Sequence, residues 1–131
     1  MIDDFVLKNE ERCAAYNSLG QVKYLSALQF CKAIIGNSSS GIIEVPSFGI
    51  PTVNIGERQK GRICAESVIS CGNSKNEIRQ AIRKALSIDV QKNAKKVRNP
   101  YEGQNTSETI VRIIEQRLEK NINIKKVFYD I

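Results

Sequence analysis

The chain has 131 residues, 41% hydrophobic and 26% charged, with a formal net charge of +6; this suits one domain with one core and leaves too little chain for two generous ones. Its apolar runs fall far short of the ~20 residues of a membrane span, and "MIDDFVLKNE" opens with acids rather than a basic segment leading into an apolar stretch, so neither a membrane anchor nor a secretory leader is expected and a cytoplasmic address follows. The absence of histidine removes the commonest metal ligand and the commonest general acid/base near neutral pH, and no metal or cofactor is expected.

Taken in chain order, residues 1–17 read as the start of the domain or a linker. From Val22 to Lys32, Tyr24, Leu28 and Cys31 recur at helical spacing beside Leu25, which predicts an amphipathic helix with Cys31 in the core. "AIIG" at 33–36 suits a buried parallel strand, and "GIIEVPSFG" predicts a short helix ending near Gly49, limited in its early turns by Pro46. "PTVNIG" at 51–56 reads as a second strand, 57–66 as a polar loop, and "ESVISCG" at 66–72 as a third strand. Ser74 with Glu77 three residues on is a capping-box signature, after which Ile78, Ala81, Ile82, Ala85 and Leu86 share one helical face. A second helical piece is expected over 88–97, stopping before Asn99 because Pro100 disfavours helical geometry there. Asn105 with Glu108 opens a last helix whose inner face carries Ile110, Ile113, Ile114 and Leu118, and 121–131 read as a C-terminal tail.

Strands alternating with helices imply βαβ units and a parallel, doubly wound sheet, in which ligands sit at the carboxyl ends of the strands. Two loops fall on that edge, "GNSSSG" after the first strand and "GERQKGR" after the second. A strand, then glycine and hydroxyl residues, then a helix start is a recipe for binding an anion, because backbone N–H groups there lack intrahelical partners and serine hydroxyls donate as well. The stretch lacks both the terminal lysine of a P-loop and the glycine spacing of the dinucleotide fingerprint, and on chemistry alone a phosphate cradle and a serine helix cap stay equally open. Glu44, one helical turn on, suits either the diol of a ribose or a helix dipole; Arg58, Lys60 and Arg62 suit either a phosphate or a solvated loop. Together they form a coherent nucleotide site: hydroxyls and N–H groups for phosphate, a carboxylate for ribose, a cation for charge.

The basic balance would also suit nucleic acid, but cations and acids interleave in "EIRQAIRKAL" and "RIIEQRLEK", the only dense basic cluster is "QKNAKKVR" at 91–98, and no nucleic-acid motif is present; no nucleic-acid partner is expected. Cys13, Cys31, Cys64 and Cys71 match no zinc or redox spacing and read as reduced thiols.

The block "GNSSSGIIEVPSFGIPTVNIGERQKGR" at 36–62, with "SLGQVKYLSAL" before it and "NPYEGQNTSETIVRII" after it, resembles the corresponding segment of UDP-N-acetylglucosamine 2-epimerases, particularly the hydrolysing kind that supplies N-acetylmannosamine for sialic acid synthesis. The resemblance covers about residues 18–118. It implies an α/β fold, a Rossmann-like parallel sheet with flanking helices, forming the C-terminal, UDP-binding half of a two-domain GT-B-type arrangement, with residues 1–131 as that domain. It implies that Ser38 and Ser39 contact the UDP diphosphate, that Glu44 holds the ribose hydroxyls and that Arg58 lies at the UDP site. The serine-rich first loop favours the hydrolysing branch; around Pro100 many relatives carry "NPYGDG", where this chain has Glu102 in place of a glycine.

The family's mechanism is proton abstraction at C2 of the N-acetylhexosamine, loss of UDP through a glycal-like intermediate, and addition of water. Its carboxylates and histidine belong mainly to chain preceding this segment, so no catalytic residue is assigned here. The resemblance thus implies a partner N-terminal catalytic domain, inactivity of this segment alone, and homo-oligomer formation by the complete protein. An epimerase for UDP-N,N′-diacetylbacillosamine, a non-catalytic nucleotide-binding module and a GT-B glycosyltransferase fragment are the alternatives.

Overall fold

The computed structural model describes residues 1–120, and the tail expected at 121–131 lies outside the described residues. The chain divides into two compact units, 1–101 and 102–131. In the first, the elements are α1 (Ile2–Leu7), α2 (Gly20–Leu28), β1 (Ile34–Gly36), α3 (Ser40–Ile43), a 3-10 turn (Val45–Phe48), β2 (Thr52–Ile55), β3 (Val68–Cys71), α4 (Lys75–Ala85) and α5 (Ile88–Ala94). The second carries α6 (Thr106–Leu118).

The three strands form one parallel sheet in the order β1-β2-β3. Ile34 lies opposite Thr52 and Gly36 opposite Asn54, while β2 runs from Thr52 opposite Val68 to Ile55 opposite Cys71. Because side chains alternate along a strand, β2 serves two faces. Val53 packs with Ala81 and Ala85 of α4, joined by Ile55, Ile69, Cys71 and Ile82. On the other side the Thr52 hydroxyl donates to the Gly41 carbonyl of α3 at 2.7 Å, and Leu28, Val45 and Ile50 form a second cluster with Tyr24, Leu25, Ile34 and Phe48. Helices therefore flank both faces, and the fold is α/β and Rossmann-like. Burying a leucine such as Leu28 contributes roughly 1.5–3 kcal/mol.

Local chemistry explains most boundaries. Ser74 caps α4 by accepting from the Glu77 N–H, while the Glu77 carboxylate accepts from the Ser74 N–H and hydroxyl. The 3-10 turn ends at Gly49 in the left-handed conformation, as the Gly-ended helix predicted there requires. Gly41 sits where α3 crosses β2: a Cβ at this position would lie 2.7 Å from the Thr52 methyl, so only glycine permits so close an approach of helix and strand.

Two expectations need correction. The helix expected over 22–32 runs from Gly20 to Leu28; with the helical repeat ended, Cys31 leaves the apolar stripe and is exposed, not core. The piece expected over 88–97 ends at Ala94. In the second unit the last helix runs from Thr106 to Leu118, opening beside Asn105 as expected. No described helix is long and apolar enough to cross a membrane.

Candidate functional site

All three strands end on one edge, at Gly36, Ile55 and Cys71, and the segments leaving them carry the candidate residues. The first connection is short. Ser38 is exposed and Ser39 half-buried, and Ser39 holds the cap position of α3 in a helical backbone conformation without a side-chain capping bond. The Ser38 hydroxyl instead accepts from the Ser40 N–H at 3.4 Å, so the serine-cap reading is met by Ser38 and not by Ser39. Among the described residues the N–H groups of Ser38 and Ser39 donate to no protein acceptor, leaving two donors open to an anion. The main-chain oxygens of Ser38 and Ser39 instead receive Gly41 N–H at 3.2 Å and Ile42 N–H at 3.0 Å. Ser40, the third serine, bonds the Tyr24 hydroxyl at 2.7 Å and so joins α2 to α3. With four residues, α3 adds little macrodipole; what the turn could offer an anion is its open N–H groups and hydroxyls.

Glu44 is half-buried and closes α3, with its N–H donating to the Ser40 carbonyl at 2.9 Å. Glu44 also stands at the N-terminal end of the 3-10 turn Val45–Phe48, without a side-chain capping bond. It makes no ion pair among the described residues. Arg58 is exposed in the connection from β2 to β3 and likewise makes no ion pair among the described residues.

What relates the two loops is a residue that sequence reasoning passed over. Gln59 is only 5% exposed, and its Nε2 donates to the Asn37 carbonyl at 2.8 Å. The loop carrying Arg58 is thereby stapled to the backbone immediately before Ser38. In the sequence Gln59 stands between Arg58 and Lys60 and looks like any solvated loop residue; no signal marks it.

A second missed residue is Asn99. It is 3% exposed, its amide donates to the Ile43 carbonyl at 2.8 Å and to the Ser47 hydroxyl at 2.7 Å, and its Oδ1 accepts from the Tyr101 N–H at 3.0 Å. The Tyr101 hydroxyl reaches back to the Ile63 carbonyl at 2.9 Å. The segment "NPY" is therefore a clamp on both sides of Glu44 and on the Arg58 loop, a role the proline only hinted at.

The carboxyl edge also holds a cavity of about 520 Å³ between the ends of β2 and β3, lined by Asn54, Gln59, Lys60, Arg62, Ser70 and Glu77 among others. None of Ser38, Ser39, Glu44 and Arg58 lines it; these four belong to the neighbouring β1–α3 side and the outer part of the second loop. At the rim Lys60 pairs with Glu57 at 3.2 Å, both largely exposed. The Ser74 hydroxyl, then the Ser74 and Gly72 N–H groups, hold the Glu77 carboxyl below its ordinary value against a small opposing effect of burial. Burial, with Glu77 beside it, raises the Cys71 thiol. No group of three or more histidine, cysteine or acidic residues among the described residues is placed to hold a metal.

A parallel sheet with helices on both faces, and a serine turn and a basic loop at neighbouring strand ends, defines an α/β, Rossmann-like domain. The profile of the family described as UDP-N-acetylglucosamine 2-epimerase matches residues 1–115, and the chain belongs to that family. It is 40% identical, over 71% of its length, to GDP/UDP-N,N′-diacetylbacillosamine 2-epimerase (hydrolyzing) of Campylobacter jejuni, covering 24% of that protein. It is 40% identical, over 87% of its length, to polysialic acid biosynthesis protein P7 of Escherichia coli, covering 29% of it. With UDP-N-acetylglucosamine 2-epimerase of Neisseria meningitidis the identity is 26% over the whole chain and 34% of that protein. The chain spans about a quarter to a third of the length of these relatives.

Proposed function

We propose that residues 1–131 are the UDP-binding, C-terminal domain of a hydrolysing UDP-N-acetylglucosamine 2-epimerase, acting in the cytoplasm to give N-acetylmannosamine and UDP. The observation that carries this reading is the first loop: two serines whose N–H groups have no protein acceptor among the described residues, at a strand's carboxyl end, followed by a half-buried carboxylate with no ion pair among the described residues. In this reading Ser38 and Ser39 bind the diphosphate, Glu44 accepts from the ribose 2′ and 3′ hydroxyls, and Arg58 neutralises phosphate charge through its guanidinium fork. The proton transfer at C2 and the departure of UDP need acid and base groups that this reading places in chain outside these residues, on a partner N-terminal domain. The complete protein is then the oligomer-forming species.

Calorimetric titration of UDP into the isolated chain tests the reading. Arg58→Ala and Glu44→Ala each remove a charge-assisted hydrogen bond and are expected to weaken binding by about 10- to 100-fold. Absence of heat at millimolar UDP overturns it, as does measurable N-acetylmannosamine release by the isolated chain.

A second reading is an epimerase acting on UDP-N,N′-diacetylbacillosamine, favoured by the name of the Campylobacter jejuni relative. The two share the UDP site and differ only in the sugar. Competing the two nucleotide sugars for the complete protein, with product analysis, separates them.

A further inference from the structure

The two open N–H donors of the first loop are aimed by different means. A trans peptide is planar and its N–H points opposite to its carbonyl, so whatever holds the carbonyl of one residue aims the N–H of the next. The Ser38 carbonyl accepts from the Gly41 N–H at 3.2 Å, and the turn itself thereby aims the Ser39 N–H. The Asn37 carbonyl receives nothing from the turn. Among the described residues its one donor is Gln59 Nε2, at 2.8 Å and 22 residues away in the chain. That hydrogen bond aims the Ser38 N–H away from Gln59.

Gln59 is poorly placed to serve stability alone. It is 5% exposed, and its Oε1 is buried with no hydrogen-bond partner among the described residues. A buried acceptor left unmet costs at least as much as one neutral hydrogen bond contributes, so an apolar side chain of the same length would pack there no worse. Yet Gln59 is the one buried residue from Glu57 to Cys64, and Arg58 stands next to it. One side chain thus governs two parts of the candidate site, the direction of a main-chain donor in the first loop and the seat of the loop that carries the cation.

We propose that Gln59 is a positioning residue for the bound anion: by holding the Asn37 carbonyl it keeps the Asn37–Ser38 peptide from turning over, and so keeps the Ser38 N–H open to the diphosphate. The inference rests on the UDP reading above and deepens it. Gln59 touches no phosphate; it acts through the peptide it grips. Without the bond, the peptide is free to rotate about the backbone torsions on either side of it, and a turned peptide presents a carbonyl oxygen where the N–H had been. An acceptor facing a phosphate repels it, so the exchange weakens binding by more than the loss of a donor alone.

The test compares the 15N-labelled 131-residue chain with its Gln59→Met variant, which keeps the side-chain length and removes the amide. Residual dipolar couplings in an aligned sample read the direction of the Ser38 N–H without ligand, calorimetry reads UDP affinity, and circular dichroism reads the melting midpoint. The variant is expected to melt within about 4 °C of the wild type, to change its Ser38 coupling while those of Ser39 and α4 stay, and to bind UDP about fivefold or more weakly. A midpoint lowered by more than that, or an unfolded variant, makes Gln59 a structural residue and overturns the proposal. An unchanged Ser38 coupling overturns it whatever UDP does, as does a UDP affinity within about twofold of the wild type. A changed Ser38 coupling with no UDP heat from either chain upholds the orienting role of Gln59 and sinks the UDP reading.

Discussion

Replacing Asn99 by alanine tests whether the "NPY" clamp holds the site together. The wild-type amide makes two donor bonds, to Ile43 and Ser47, and accepts one from Tyr101, all between 2.7 and 3.0 Å, on a side chain 3% exposed. At about 0.5–1.5 kcal/mol net per bond the loss is roughly 1.5–4.5 kcal/mol. Ser47 and Tyr101 are exposed and recover partners from water, which places the expected value near the middle, about 2–3 kcal/mol. For a unit of about 100 residues, 1 kcal/mol moves the melting midpoint by roughly 4–8 °C, so Asn99→Ala should melt about 10–15 °C lower by circular dichroism. Asn99→Asp sharpens the test: it keeps the shape, the acceptor for Tyr101 and a bond the Ser47 hydroxyl can donate, but sets a carboxylate oxygen against the Ile43 carbonyl, and should cost at least as much. A midpoint within about 2 °C of wild type for Asn99→Ala would refute the clamp, as would an Asn99→Asp variant that melts like the wild type.

Three further outcomes follow from the geometry. Gly41→Ala places a Cβ 2.7 Å from the Thr52 methyl and should destabilise by about 1–3 kcal/mol in urea unfolding, while Gly41→Ala combined with Thr52→Ser should recover much of the loss. Glu77 has a folded pKa below its ordinary value of 4.5, chiefly from the Ser74 hydroxyl, so its contribution is present in full above that value and is lost as the pH falls through the depressed one; the stability gap between wild type and Glu77→Gln should shrink over that acid range. Cys71 is half-buried with its thiol raised, whereas Cys31 and Cys64 are exposed, so alkylation followed by mass spectrometry near pH 8 should label Cys31 and Cys64 before Cys71.

The elements most readable in the sequence were those with a local chemical cause. The capping box at Ser74 and Glu77, the Gly49 stop and the β-branched run ending in Gly56 each act through neighbours in the chain, and each element lies within a few residues of its expected place. Cys31 failed because apolar spacing continues on paper after Leu28, where the helix has ended. Around the site, the turn from β1 into α3 was legible because glycine and hydroxyl residues between apolar runs mark a strand-to-helix turn. Gln59 and Asn99 were not, because an amide's value here lies in bonds spanning 22 and 56 residues of sequence, which no local pattern encodes.

The Gln59–Asn37 bond makes the two loops a single inherited unit. Because one side chain of fixed reach sets their separation, an insertion in either loop must be matched in the other or the bond breaks, and the loops are free to vary in composition far more than in length. Anyone transplanting the serine loop into another α/β scaffold would have to carry the glutamine loop with it; moved alone, the first loop would keep its chemistry and lose its ruler.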